Sequence, residues 1–115
     1  MDLKEEICEI LDQKKGYNIV TVDLEDLSII ADYFIICSGH STTQVRALAD
    51  HVEEELEKRH NVHPIRFEGK SEGKWAVLDY GDYIVHIFHE EIRDVYKLSE
   101  LWDNGRNVKN YVSKD

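Results

Sequence analysis

WAVLDYGDYIVHIF, residues 75–88, decides the fold class of this chain. Two segments of alternating apolar residues flank Gly81-Asp82, a two-residue turn signal, because glycine supplies the positive φ that tight hairpin turns require. With those two residues as the loop, Tyr80 faces Tyr83, Leu78 faces Val85 and Ala76 faces Ile87, which makes one apolar face. The other face sets Asp79 across from Ile84, Val77 across from His86 and Trp75 across from Phe88. A face mixing Trp, Phe, His and Asp is neither plain core nor plain solvated surface. It is the first candidate for a working surface.

Outward from the hairpin, Leu3, Ile7, Ile10 and Leu11 recur at helical spacing, with Asp2 as cap and Gly16 as terminator. The β-branched Ile19, Val20 and Val22 predict a strand over 18–24, and 25–30 a turn with some helical character. The apolar run Tyr33 to Cys37, bounded by Asp32 and Ser38-Gly39, suits a central strand covered on both faces. Ser41 with Gln44 forms a capping-box pattern, opening a helix whose inner side is Val45, Leu48, Ala49, Val52 and Leu56. Pro64 closes the next connection, 65–68 is a short strand, and 69–74 is a hairpin loop. Glu90 to Tyr96 is helical, with Leu98, Leu101 and Trp102 continuing the apolar stripe, and the chain frays from Gly105. The pattern predicts a single α/β domain with a mixed sheet of about five strands flanked by helices.

The 115 residues carry 24 acidic against 14 basic side chains, a net charge of −10. That is the wrong sign for holding nucleic acid by its phosphates, and beyond a weak Arg106, Lys109, Lys114 trio no basic tail exists. A basic protein partner suits this charge better, although acidity also serves plain solubility. Cys8 and Cys37 fall in a helix and a buried strand, which argues for free thiols in a reducing compartment. The opening segment is acidic and amphipathic, so neither a signal peptide nor a transit peptide is expected, and no stretch approaches spanning length. A cytoplasmic location follows as the expectation.

Several motifs have plain readings. Gly69-Lys70-Ser71 lacks the upstream glycine, strand and helix of a phosphate-binding loop, so a polar hairpin loop explains it. Ser38-Gly39, at a strand end before a helix, has anion-site geometry and resembles the turn of nucleotidyltransferases. The carboxylates at comparable distance, Asp50 and Glu53, fall inside a helix, where they cannot hold Mg²⁺ for that chemistry. His86 and His89 point to opposite strand faces and His60 and His63 lack a matching partner, so neither metal nor cofactor is expected. Asp79 and His86 are diagonal neighbours able to form an acid/base pair, with a structural hydrogen bond the commoner outcome. Trp75, Phe88, Tyr96 and Trp102, grouped with Arg93, are candidate interface anchors.

Ala31 to Asp50, Phe67 to Trp102 and the segment DLSIIADYF resemble the ribosomal silencing factor family, also called Iojap-like. The resemblance rests on the ordered set Asp32-Tyr33, Ser38-Gly39, Trp75, Asp79-Tyr80, His86, Phe88, Arg93, Tyr96, Leu98 and Leu101-Trp102. It implies a nucleotidyltransferase-like fold without the catalytic carboxylates, and no enzymatic activity. It implies binding to the large ribosomal subunit through its ribosomal protein fourteen, on the intersubunit face, blocking the small subunit when nutrients are scarce. It implies partner-binding roles for Asp32, Tyr33, Trp75, Asp79, Tyr80, His86, Phe88, Arg93, Tyr96, Leu98, Leu101 and Trp102. Lys97-Leu98-Ser99 and Asn104-Gly105 depart from the family pattern, in the detail of the C-terminal contact. Direct nucleic-acid specificity and membrane binding are not expected. A homodimer and a nucleotide-binding enzyme using Ser38-Gly39 stay open as alternatives.

Overall fold

A computed structural model describes residues 3–25, 27, 29 and 31–112, with the side chains of Val95, Tyr96, Ser99 and Leu101 outside that description. The described residues form helices α1 (Lys4–Gln13), α2 (Thr42–His60), α3 (Glu90–Tyr96) and α4 (Leu98–Leu101). The strands are β1 (Tyr17–Asp23), β2 (Tyr33–Gly39), β3 (Arg66–Glu68), β4 (Trp75–Asp79), β5 (Tyr83–His89) and β6 (Val108–Asn110). They make one open mixed sheet in the order β3-β4-β5-β2-β1-β6, with β2 and β5 parallel at its centre and every other pair antiparallel. Among the described residues the sheet has six strands, one beyond the five read from the sequence. The sixth is β6, in the stretch from Gly105 expected to fray: its backbone pairs Val108 with Val22 and Asn110 with Val20 on the free edge of β1. A three-residue strand needs only an unpaired edge to form, which local patterning does not reveal.

The hairpin forms in the register its sequence dictates. Trp75 pairs with Phe88, Val77 with His86 and Asp79 with Ile84. Gly81 takes a φ of 88° as first loop residue, and Tyr80 N–H donates to Tyr83 O at 2.8 Å. Asp79 Oδ1 accepts from Gly81 N–H at 2.8 Å and tightens the same turn.

Alternation sorts each strand between two faces. Ile35 and Cys37 of β2, Ala76 and Leu78 of β4, and Val85 and Ile87 of β5 pack beneath α1 and α2. From the helices come Ile7, Ile10 and Leu11 of α1 and Leu48, Val52 and Leu56 of α2, all fully buried. Each such burial is worth about 1.5–3 kcal/mol.

The capping box of α2 is present in a shifted form. Gln44 N–H donates to Ser41 Oγ (3.1 Å), while Gln44 Oε1 accepts from His40 N–H (2.6 Å), one residue before the cap. The Gln44 amide also donates to Lys15 O (3.0 Å) and joins the end of α1 to the start of α2. Asp2, expected to cap α1, lies outside the described residues, as do positions 26, 28 and 30 of the predicted turn. Lys15, not Gly16, takes the left-handed conformation after α1, with φ 67°. Gly16 is required for space: a Cβ there would lie 2.5 Å from Cys37 Sγ.

Candidate partner-binding face

The second face of the sheet is only partly covered. Val20, Val22, Leu24, Ile36 and Phe88 form its small core, and Phe34, Trp75, Ile92, Leu98, Trp102 and Val108 pack around them half-buried. Helix α3 lies against β5 and β2, and Leu98 of α4 packs on the same small core, while Trp75, Val77 and Asp79 of β4 stay half-exposed.

An aromatic array runs across this face. Trp102 meets Phe34 edge-on (6.2 Å between ring centroids), Phe34 meets His86 edge-on (4.6 Å), and Trp75 stacks on Phe88 (4.8 Å). Trp75 Nε1–H donates to His86 Nδ1 at 3.1 Å. An imidazole accepting at Nδ1 carries its proton on Nε2, so this bond fixes the neutral tautomer. Burial agrees, pulling the His86 pKa from 6.5 down to about 4 against a weaker opposing pull from the Asp79 carboxylate. His86 Nε2 is buried and has no hydrogen-bond partner among the described residues. Asp79 binds its own turn and not His86, so neither the acid/base pair nor the commoner structural Asp79–His86 bond forms. The hydrogen bond is structural, with tryptophan as the donor.

The structure divides the sequence-predicted site residues. Trp75, Asp79, His86, Phe88, Leu98 and Trp102 share the aromatic face. Phe88 has no exposed surface and supports Trp75 from below, so it offers a partner nothing directly. Tyr33 and Tyr80 lie on the opposite face: Tyr33 stacks on Tyr83 (5.7 Å), and both Tyr33 and Tyr80 pack against the core beneath α1 and α2. A strand cannot present Asp79 and Tyr80 to one surface, because consecutive side chains diverge. Asp32 is exposed at the end of the sheet, where its N–H donates to Asp82 O. Tyr96 and Leu101 fall on side chains outside the described residues.

Arg93 is half-buried beside the Ser38-Gly39 turn, donating to Ser38 Oγ (2.8 Å) and to Asn18 O, and so pins α3 to β1 and β2. Burial lowers its pKa below the usual guanidinium value. The hollow of about 460 Å³ at this turn is lined by four carboxylates, Glu90, Glu91, Asp94 and Glu100, against the two cations Arg93 and Lys97, a net negative lining that disfavours a nucleotide's phosphates. The donors His40 N–H and Gln44 N–H are already taken by the α2 cap. Both thiols are buried, and burial pushes Cys8 and Cys37 up to about 12, which keeps them protonated and unreactive. Lys70 pairs with Asp50 at 2.6 Å, so the Gly69-Lys70-Ser71 loop is clamped to α2. His60 Nε2 lies 2.9 Å from both Glu6 oxygens, and His89 caps α3 by accepting from Glu91 N–H. Among the described residues no three His, Cys, Asp or Glu side chains converge as a metal site, and no helix is long and apolar enough to cross a membrane.

Phe34 belongs to the aromatic face and was missed in the sequence, whereas Val77 and Ile84 were read onto that face from the hairpin alternation. Phe34 lies opposite Ile84 only because β2 pairs parallel with β5, a pairing between segments about fifty residues apart that local periodicity does not encode.

The model of a family described as "Ribosomal silencing factor during starvation" matches residues 1–115. The chain belongs to that family. A ribosomal silencing factor of Haemophilus influenzae is 41% identical over 102 residues, which are 89% of this chain and 99% of that protein. One of Bacillus subtilis is 37% identical over 94 residues, 82% of this chain and 79% of that protein. A mouse relative, 27% identical over 84% of this chain and 43% of its own length, is named for mitochondrial assembly of the ribosomal large subunit. A crystal structure from Chromobacterium violaceum superposes with a TM-score of 0.83 at 32% identity, covering 98% of this chain and 95% of that one. The α/β architecture that the resemblance implied is therefore the architecture of this silencing-factor chain, and the family's members are named for silencing, not for catalysis.

Proposed function

We propose that this chain is a cytoplasmic, non-enzymatic translation repressor. It binds the large ribosomal subunit through ribosomal protein fourteen on the intersubunit face and blocks the small subunit, chiefly under nutrient limitation. The observation that carries this reading is the half-covered aromatic face, Trp75, Phe34 and Trp102 with Asp79 beside them, on a body of net charge −10. Aromatic anchors next to acidic groups suit an apolar patch rimmed by Lys and Arg, which is the chemistry of a basic ribosomal protein. The relatives' names support the ribosome as the target and, in one case, its large subunit.

Size supports occlusion as the mechanism. The body measures 33 × 32 × 30 Å, whereas direct contact between two surfaces needs atoms within about 4 Å. A rigid plug of that thickness needs no chemistry to keep two subunits apart. Sedimentation of purified large and small subunits with saturating protein tests the reading: the peak of joined ribosomes is expected to disappear, and an unchanged peak overturns it.

A further inference from the structure

The fold brings together cations that the sequence scatters. Lys4 opens α1, while Arg106 precedes β6 and Lys109 lies within it, and the three line one hollow of about 140 Å³ with Thr21 and Asn107. Among the described residues one carboxylate, Asp23, shares the hollow, and its Oδ1 accepts from Glu25 N–H at 3.0 Å. In a chain with 24 acidic and 14 basic residues, three cations against one carboxylate is a local reversal of sign. We propose that this cleft binds phosphate groups, and that its ligand is the sugar-phosphate backbone of RNA.

The cleft is held in shape. Lys109 pairs with Thr21 across the β6–β1 ladder, and the Lys4 ammonium lies 4.5 Å from the centre of the Tyr33 ring. Among the described residues, Arg106 and Lys109 have no ion-pair partner and are exposed. The volume admits a phosphate group with its hydration, not a nucleoside. Tyr33 is the one aromatic ring in the lining, and it is already stacked on Tyr83, so a base finds no platform. Contact is therefore with phosphate and independent of sequence. Asn107 Nδ2 donates both to Asp23 O (3.0 Å) and to Trp102 O (2.8 Å), so the cleft, on the Tyr33 side of the sheet edge, is tied through this residue to the backbone at Trp102. A ribosomal protein docked at Trp102 is surrounded by RNA, so this source of phosphate rests on the ribosome-binding reading above. The overall charge still repels RNA elsewhere.

Two arms test the cleft in the full chain. In the first, inorganic phosphate is titrated and amide resonances are followed: saturable shifts are expected at Thr21, Asn107 and Lys109, lost in Arg106→Gln/Lys109→Gln. In the second, binding to large subunits is measured against salt. Removing two phosphate contacts is expected to shrink the affinity drop between about 50 and 200 mM salt by about tenfold. No localised shift with an unchanged salt slope overturns the cleft; shifts without a change of slope assign it to free phosphate and overturn RNA. Trp102→Ala separates the two readings, because it is expected to weaken binding without altering the slope. A flattened slope in the double variant beside intact binding of Trp102→Ala supports the cleft and removes the aromatic face. Wild-type protein that binds no subunits overturns the ribosome reading and the RNA assignment, while the first arm still reads the phosphate site.

Discussion

The two faces of one sheet differ in how completely they are closed. Beneath α1 and α2, seventeen buried residues form a continuous core among the described residues; beneath α3 and α4 there are five, with half-buried aromatics around them. The closed face has the helices it needs, with bonds such as Glu6–His60 and Gln44–Lys15 at its periphery, and its one buried polar atom without a partner among the described residues is the Tyr80 hydroxyl. The other face keeps two tryptophans at its margin and a buried histidine nitrogen with no partner among the described residues. Stability resides mainly on the first face, and the surface left for a partner is on the second.

Substitutions on each face should separate those roles. Leu48→Ala, in the closed core, is expected to cost about 3 kcal/mol of folding stability by leaving a cavity, with subunit binding per folded molecule unchanged. Urea denaturation beside a binding titration measures both. Acid should act through the other face. The folded pKa of His86 is depressed to about 4 from 6.5, so its contribution is present above 6.5 and is lost as pH falls toward 4. The loss amounts to roughly 3 kcal/mol by pH 4, and His86→Phe should flatten the profile in that window. Glu6, held low chiefly by the hydrogen bond from His60, adds a loss of the same sign only below its ordinary 4.5.

Trp102→Ala is expected to weaken large-subunit binding by about 2 kcal/mol, roughly thirtyfold in Kd. Unaltered affinity in a folded variant would place the anchor elsewhere and leave the second face as incomplete core. The smallest effect belongs to the joint between α3 and α4. Lys97 there has a φ of 46°, a conformation unfavourable for a residue bearing a Cβ. Lys97→Gly is expected to raise stability by about 0.5–1 kcal/mol in thermal melts.

Much of this was legible in the chain. The hairpin register followed from Gly81-Asp82 and alternation alone, because a two-residue loop fixes every cross-strand pair. The start of α2 followed from Ser41 and Gln44. The site was legible as a stripe, Trp75, Val77 and Asp79 against Ile84, His86 and Phe88, but not as a surface. Phe88 carries the same pattern as its neighbours and is fully covered, while Tyr33 and Tyr80, adjacent to true members, lie on the far side. Asp79 beside His86 suggested a carboxylate–imidazole pair, yet the turn claimed the carboxylate and an indole took the ring.

The sequence by itself determined the elements, the hairpin pairing and the sign of the charge, since each depends on residues close together in the chain. Tertiary structure decided that β2 lies parallel to β5, that β6 closes the edge beside β1, and that α3 and α4 leave part of one face open. It also decided that Lys4 meets Arg106 and Lys109. Those contacts join residues tens of positions apart, and their energies arise from burial and pairing that exist only once the whole sheet has assembled.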